Sequence, residues 1–195
     1  MSVSRLPRLS STLALQNQRL RADYAALLQR SRLPIPGLSL PAFEARTLAG
    51  ERVTLGAPEA GERQLLFVFN AGCPYCRASL RGWKEIVAGI DSARGAPGVY
   101  GLSLDVPEET RRFVEAEGLS FPVVQLLEPW VSFRYRTDLV PQVLVLGEGG
   151  RVLYARAGVL EGRAAIDAVL AALFSAPADV SPAVRAGEVE NAVPR

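Results

Sequence analysis

The chain has 195 residues, 49% of them hydrophobic, enough for one ordinary domain with a sizeable core and some appended sequence but not for two domains. Its 22 basic and 20 acidic residues nearly balance, so no global field draws it to nucleic acid or anionic lipid. Histidine is absent, which excludes Cys-His and Ser-His nucleophile pairs and every His-containing metal site, and two cysteines cannot close a four-ligand structural zinc site within one chain.

No run of about 18 apolar residues exists to span a membrane. Arg5 and Arg8 precede an apolar stretch at 9–15, but Ser10, Ser11 and Thr12 interrupt it, so it lacks the core of a signal peptide. Over 13–30, Leu13, Leu20, Tyr24, Leu27 and Leu28 fall on one stripe of an amphipathic helix, with Gln16, Arg19, Arg21 and Gln29 elsewhere around it. Its mixed-charge polar face favours packing on the domain, or in a short self-pairing coil, over lying on a membrane surface. Pro34, Pro36 and Pro41 forbid regular structure and mark a linker. The residues 43–48 and 52–55, around Ala49-Gly50, predict a β-hairpin, and 56–62 a loop.

The run 64–69 is apolar at nearly every position, as expected of a central strand covered on both faces. It ends in Asn70-Ala71-Gly72, and the only two cysteines follow as Cys73-Pro74-Tyr75-Cys76. A helix follows, with Ala78, Leu80, Trp83, Ile86, Val87 and Ile90 at helical spacing and Gly82 as a possible bend. A second buried strand is predicted over 99–104. Asp105 then serves as N-cap and Pro107 as first-turn proline of a helix at 108–117, which Gly118 closes. Alternation of strand and helix argues for a parallel core sheet. A short apolar run occupies 121–127, and the state of 128–136 is not decided by its pattern. The clearest hairpin joins 143–146 to 151–157 through Gly147-Glu148-Gly149-Gly150, a helix spans 164–174, and 175–195 reads as a disordered tail.

The chemistry converges on the cysteine pair. A strand that delivers Cys-x-x-Cys to a helix start places Cys73 against unpaired backbone N–H groups and the positive end of the helix dipole, which favours its thiolate. Cys73, the more exposed, is expected to attack substrate disulfides, and Cys76, one turn later and buried, to resolve the mixed disulfide. Pro74 suits the first helical turn. Arg77 supports the thiolate, contacts an acidic substrate or is a solvated surface arginine.

Pro41-Ala42-Phe43, the Leu48-Ala49-Gly50 turn, the Cys73–Cys76 motif, Phe121-Pro122-Val123-Val124, Val140-Pro141 and Gly149-Gly150-Arg151-Val152 occur in the order found in thioredoxin-like proteins. Over about 37–174 the chain resembles the thiol:disulfide oxidoreductases of the TlpA and ResA group, neighbours of the AhpC/TSA family. The resemblance implies an α/β, thioredoxin-like fold with a central mixed β-sheet flanked by helices, an N-terminal β-hairpin and an extra N-terminal helix. The division is then 1–36 helix and linker, 37–174 domain, and 175–195 tail. It implies that Pro141 is cis and packs against the cysteine pair, that the Val140 backbone pairs with an extended substrate, and that Pro74 and Tyr75 contact that substrate. It also implies no cofactor beyond the redox-active Cys73–Cys76 pair. The partners are cysteine-containing proteins and a thiol/disulfide electron partner, and the location is outside the cytoplasm, often with a membrane tether. A chain that truly starts at Met1 would be cytoplasmic.

Three departures stand out. Gly72 occupies the place of the tryptophan that commonly precedes the first cysteine. Phe67 stands where thioredoxin has a buried acid, and Ser79 where the TlpA-like group often has a glutamate, so neither proton acceptor for Cys76 is present. Two other readings compete. A peroxiredoxin would need Pro and Thr where Leu66 and Asn70 stand, and so lacks the group that positions peroxide. A non-catalytic scaffold would use the cysteines as a structural disulfide, but so short a loop constrains little of the unfolded chain.

Overall fold

In the computed structural model, residues 15–20, 33–90 and 97–174 are described. Residues 15–20 are helical, as expected, with Leu15 and Leu20 exposed. The remainder of the predicted 13–30 helix, and the predicted tail, lie outside the described residues.

Among the described residues, seven strands, four further α-helices and a 3-10 helix at Glu148–Gly150 follow. β1 (Phe43–Arg46) and β2 (Arg52–Leu55) form the expected antiparallel hairpin. β3 (Gln64–Phe69), β4 (Gly98–Ser103), β5 (Val123–Gln125), β6 (Gln142–Gly147) and β7 (Arg151–Ala157) form one sheet in the order β5-β4-β3-β6-β7. β3, β4 and β5 are parallel, whereas β6 runs antiparallel to β3 and β7 antiparallel to β6, so the sheet is mixed. The helices are α1 (Pro74–Ala88), α2 (Pro107–Glu117), α3 (Pro129–Tyr135) and α4 (Arg163–Phe174).

Strand periodicity sorts the core into two layers. Leu65, Phe67 and Phe69 of β3 face one side, with Val143 and Val145 of β6 and with Trp83, Ile86, Phe113, Ile166 and Val169 from the helices. The intervening Leu66 and Val68 face the other side, with Leu102, Leu144 and Leu146, against Phe43, Leu55, Val131 and Tyr135. Both faces of β3 are therefore covered, which explains why its sequence is a continuous apolar run rather than an alternating one. Gln64 ties the hairpin to this sheet by accepting from Gly56 N at 2.9 Å and donating to Thr54 O at 3.0 Å. Tyr135, in the same layer as Phe43, holds the residues just before the hairpin by donating to Pro41 O at 2.8 Å.

Three sequence expectations change. The proline-rich segment is not a free linker: Gly37 N donates to Val152 O, Val152 N to Leu38 O and Leu40 N to Gly150 O, so 37–40 runs along the start of β7. Gly82 does not bend α1. The helix is continuous, and a Cβ on Gly82 would lie 2.3 Å from Leu160 O, so glycine is required by close packing of the 158–162 loop. Asp105 does not cap α2, because Pro107 takes the first turn and the cap falls on Val106 with no side-chain bond. In place of a cap, Thr110 Oγ1 pairs with buried Ser103 Oγ at 2.7 Å, and Glu108 and Glu109 in the first turn complement the helix dipole. Gly118 closes α2 in the left-handed conformation as expected. The undecided stretch becomes α3, capped by Arg136 at φ 51°.

Candidate active site

Strand direction gathers the site. Parallel β3, β4 and β5 end on the same side of the sheet, and antiparallel β6 begins there. The segments 70–76, 104–105 and 140–141 therefore meet at one edge, although they are far apart in sequence.

Cys73 is the N-cap of α1 in extended backbone, half-buried, with Pro74 inside the first turn. Its carbonyl accepts from Cys76 N at 3.1 Å and Arg77 N at 3.3 Å, and its own N–H donates to Asn70 O at 3.1 Å. Both cysteines are free thiols, and Cys76 is fully buried. Burial pushes the Cys76 thiol up to about 12; its hydrogen bond to Cys73 and the nearby charges of Cys73 and Asp105 act in the same direction, while a backbone hydrogen bond at Asn70 opposes them. The geometry thus separates an accessible sulfur from a protonated, buried one joined to it.

Pro74 and Tyr75 lie exposed between the cysteines, Tyr75 at 63%. Val140 is half-buried and touches both core layers. The Val140–Pro141 peptide is cis, and buried Pro141 accepts from Gly158 N at 2.9 Å. The β3–β6 register pairs Val68 with Gln142, and its continuation sets Pro141 beside Phe69, four residues before Cys73. Arg77 is not a free surface cation: it pairs with Glu117 at 2.5 Å and lies over the Phe113 ring at 5.4 Å. Ser79 is buried, donating to Tyr75 O and accepting from Leu160 N, each at 3.0 Å, which fastens the cysteine helix to the 158–162 loop.

The residue that sequence reading misplaced is Asp105. Its Oδ1 accepts from Asn70 Nδ2 and its Oδ2 from Ala71 N, both at 2.5 Å, so it grips the loop that delivers Cys73. Asn70 Oδ1 in turn accepts from Gly72 N at 2.9 Å. The signal was the spacing: proline at the first helical position puts the cap at Val106, leaving Asp105 uncommitted. An open cleft of about 540 Å³ borders this loop, lined by Arg77, Asp105, Glu109 and Phe113 among others.

The thioredoxin domain of a thiol-disulfide oxidoreductase from Bacteroides vulgatus has a similar structure, at 21% identity and TM-score 0.60, covering 72% of this chain and 99% of that one. StoA from Bacillus subtilis matches at 18% identity and TM-score 0.55, over 69% of this chain and 96% of its own. A secreted Mycobacterium tuberculosis disulfide oxidoreductase, homologous to Escherichia coli DsbE, matches at 20% and TM-score 0.53, over 67% of this chain and 93% of its own. These likenesses establish the thioredoxin-like fold. No curated protein matches the sequence. The AhpC/TSA family model matches residues 36–153, more than half of the chain, and the protein belongs to the AhpC/TSA family.

Proposed function

We propose that the protein is a thiol-disulfide oxidoreductase that exchanges a Cys73–Cys76 dithiol or disulfide with cysteines of substrate proteins, without other cofactor. The observation that carries this reading is the asymmetry of the pair: Cys73 half-exposed at a helix start, Cys76 fully buried and hydrogen-bonded to it one turn later. In the reducing direction, the Cys73 sulfur attacks a substrate disulfide and one substrate sulfur leaves as a thiol. Cys76 then attacks Cys73, the second substrate sulfur leaves, and two electrons have passed from the protein dithiol to the substrate. A thiol/disulfide partner restores the starting state. Exposed Tyr75 and Pro74 and the half-buried Val140 form the surface that an extended substrate meets, with the Val140 backbone as its pairing edge and Pro141 seated behind it.

A peroxidase reading is disfavoured because Asn70, at the place of the peroxide-positioning threonine, is already engaged with Asp105 and Gly72. The test is reduction of insulin disulfides by the purified protein. Cys73→Ser should abolish it, and Cys76→Ser should accumulate mixed disulfides visible on a non-reducing gel. Full activity in both variants overturns the mechanism.

A further inference from the structure

We propose that the cleft between β1 and the segment after β5 takes up an extended peptide segment of the partner protein, acidic and apolar in alternation, as an added β-strand. This names the class of partner for the oxidoreductase reading above and rests on it.

The two walls of the cleft meet and then part. Thr47 bridges to Val124, and Leu48 N donates to Val123 O at 2.9 Å. Beyond that junction no strand ladder joins β1 to 125–128 among the described residues. The walls diverge around a cleft of about 600 Å³, within the range of roughly 300–1,000 Å³ usual for ligand pockets. Thr47 N donates to Glu51 O at 2.9 Å, which sets the alternation of the hairpin, so the backbone amides of Glu44 and Arg46 face away from β2. On the opposite wall Leu126 N donates to Ser103 O at 2.9 Å, towards β4. The backbone groups of Glu44 and Leu127 make no hydrogen bond among the described residues. Two unfinished strand edges thus border one gap, an arrangement that an extended peptide completes.

The side chains set the chemistry of that peptide. Arg46 and Arg52 stand directly opposite each other on β1 and β2, a like-charge pair that costs stability, and Arg111 of α2 lines the same cleft. Arg46 donates to Gly50 O at 3.1 Å, and neither Arg52 nor Arg111 has a carboxylate partner among the described residues. Of the two acids lining the cleft, Glu44 accepts from Thr54 Oγ1 at 2.6 Å, which leaves Glu128 to oppose three cations. Carboxylates on the peptide meet that excess. Phe43 and Leu48 supply apolar lining, and Leu127, 72% exposed, is an apolar rim that the intervening peptide side chains cover.

Position links the cleft to the cysteines. β5 is two strands from β3, about 10 Å at the usual strand spacing, and 125–128 leaves β5 at the end where 70–76 leaves β3. A partner held by this segment brings a cysteine a few residues along its chain within reach of Cys73.

The experiment titrates oxidised protein into a fluorescein-labelled seven-residue peptide that alternates valine with glutamate, followed by anisotropy. Binding should saturate below about 1 mM. The same peptide N-methylated on alternate backbone nitrogens, or with lysine for glutamate, should bind at least about tenfold more weakly. Arg52→Glu combined with Arg111→Glu should weaken the parent peptide about tenfold, and so should Glu44→Pro, which removes an outward N–H and none of the hairpin's own bonds. In a second assay the acidic segment is joined, through a six-residue Gly/Ser spacer reaching about 13 Å, to a cysteine carrying a thionitrobenzoate mixed disulfide. With reduced protein in excess, half-maximal release should need about tenfold less protein than for the lysine version, at the same maximal rate.

Equal binding of the N-methylated peptide overturns strand addition, and equal binding of the lysine version overturns the acidic class. No saturation by any peptide overturns the proposal, as does a dimer of the free protein that Glu44→Pro dissolves in sedimentation, because a second copy then fills the cleft. Equal half-saturation for the two mixed disulfides overturns the link to the cysteines. If the variants do not fold, the peptide comparisons decide, since they leave the protein unaltered. A protein that binds the acidic peptide but releases no thionitrobenzoate refutes the oxidoreductase reading alone.

Discussion

The buried thiol of Cys76 makes the stability of the reduced protein depend on alkaline pH in a way that one substitution isolates. In the unfolded chain a cysteine titrates at its ordinary value of 9.0, whereas in the folded protein burial pushes Cys76 up to about 12. Because the folded pKa is the higher, the folded state binds the proton more tightly. The resulting stabilisation is complete below pH 9 and is lost as the pH rises from about 9 towards 12. At pH 10 the unfolded thiol is about ten-elevenths ionised and the folded one scarcely at all, which costs the folded state about 1.4 kcal/mol relative to pH 7. Tyr135, whose phenol burial also pushes up, adds a similar loss at higher pH, so the wild-type slope alone is not diagnostic. Cys76→Ser keeps Tyr135 and Cys73 and removes only this titration. Urea unfolding of both proteins in a non-thiol reductant at pH 7, 8.5 and 10 should show the difference between them shrinking by about 1.4 kcal/mol from the first to the last pH. Curves that stay parallel across that range would refute the claim that Cys76 is held as a buried thiol.

Gly82→Ala should destabilise the protein by about 1–3 kcal/mol in the same urea assay, because the new Cβ meets Leu160 O at 2.3 Å and outweighs the usual helix preference for alanine. A gain in stability would mean that the 158–162 loop moves aside freely. Tyr135→Phe should cost about 1–2 kcal/mol by leaving Pro41 O without its 2.8 Å donor between the hairpin and α3, read as a lower urea midpoint at unchanged slope. An unchanged midpoint would show that water replaces the phenol at no cost.

What the sequence made legible was decided by how far each residue's partners lie along the chain. β3 could be read from its own composition, since a strand covered on both faces must be apolar throughout, and Asn70-Ala71-Gly72 ends it. The cysteine helix was equally local, its start marked by Pro74 and its inner face by Leu80, Trp83 and Ile86. α3 was illegible because it has only seven residues and buries only Val131 and Tyr135, while Trp130 and Phe133 stay exposed and blur the apolar face. Prolines made 34–41 look like a linker, but Gly37, Leu38 and Leu40 find partners on the first residues of β7, more than 100 residues away. Asp105 was misread for the same reason. Local capping preference pointed to the helix that follows it, and the winning interaction was with a loop 34 residues earlier.

Register explains why Asp105 and Pro141 both arrive at the end of β3 that carries the cysteine loop without any local signal. Alternation in β3 commits Phe67 and Phe69 to the helix-covered face and Leu66 and Val68 to the hairpin face, and a one-residue slip would turn all of them to the wrong layer. The core therefore holds the register that pairs Phe69 with Ser103 on one side and Val68 with Gln142 on the other. Two residues further along the parallel pair, Ala71 comes opposite Asp105, and their 2.5 Å hydrogen bond is that register carried past the end of the strands. One residue further along the antiparallel pair, Phe69 comes opposite Pro141. Phe69, fully buried, is thus the common neighbour through which three distant segments are brought into line. The apolar pattern that stabilises the sheet also sets where the proposed nucleophile and substrate edge stand, so a one-residue slip of β3, which would turn Phe67 and Phe69 out of their layer, would dismantle core and site together.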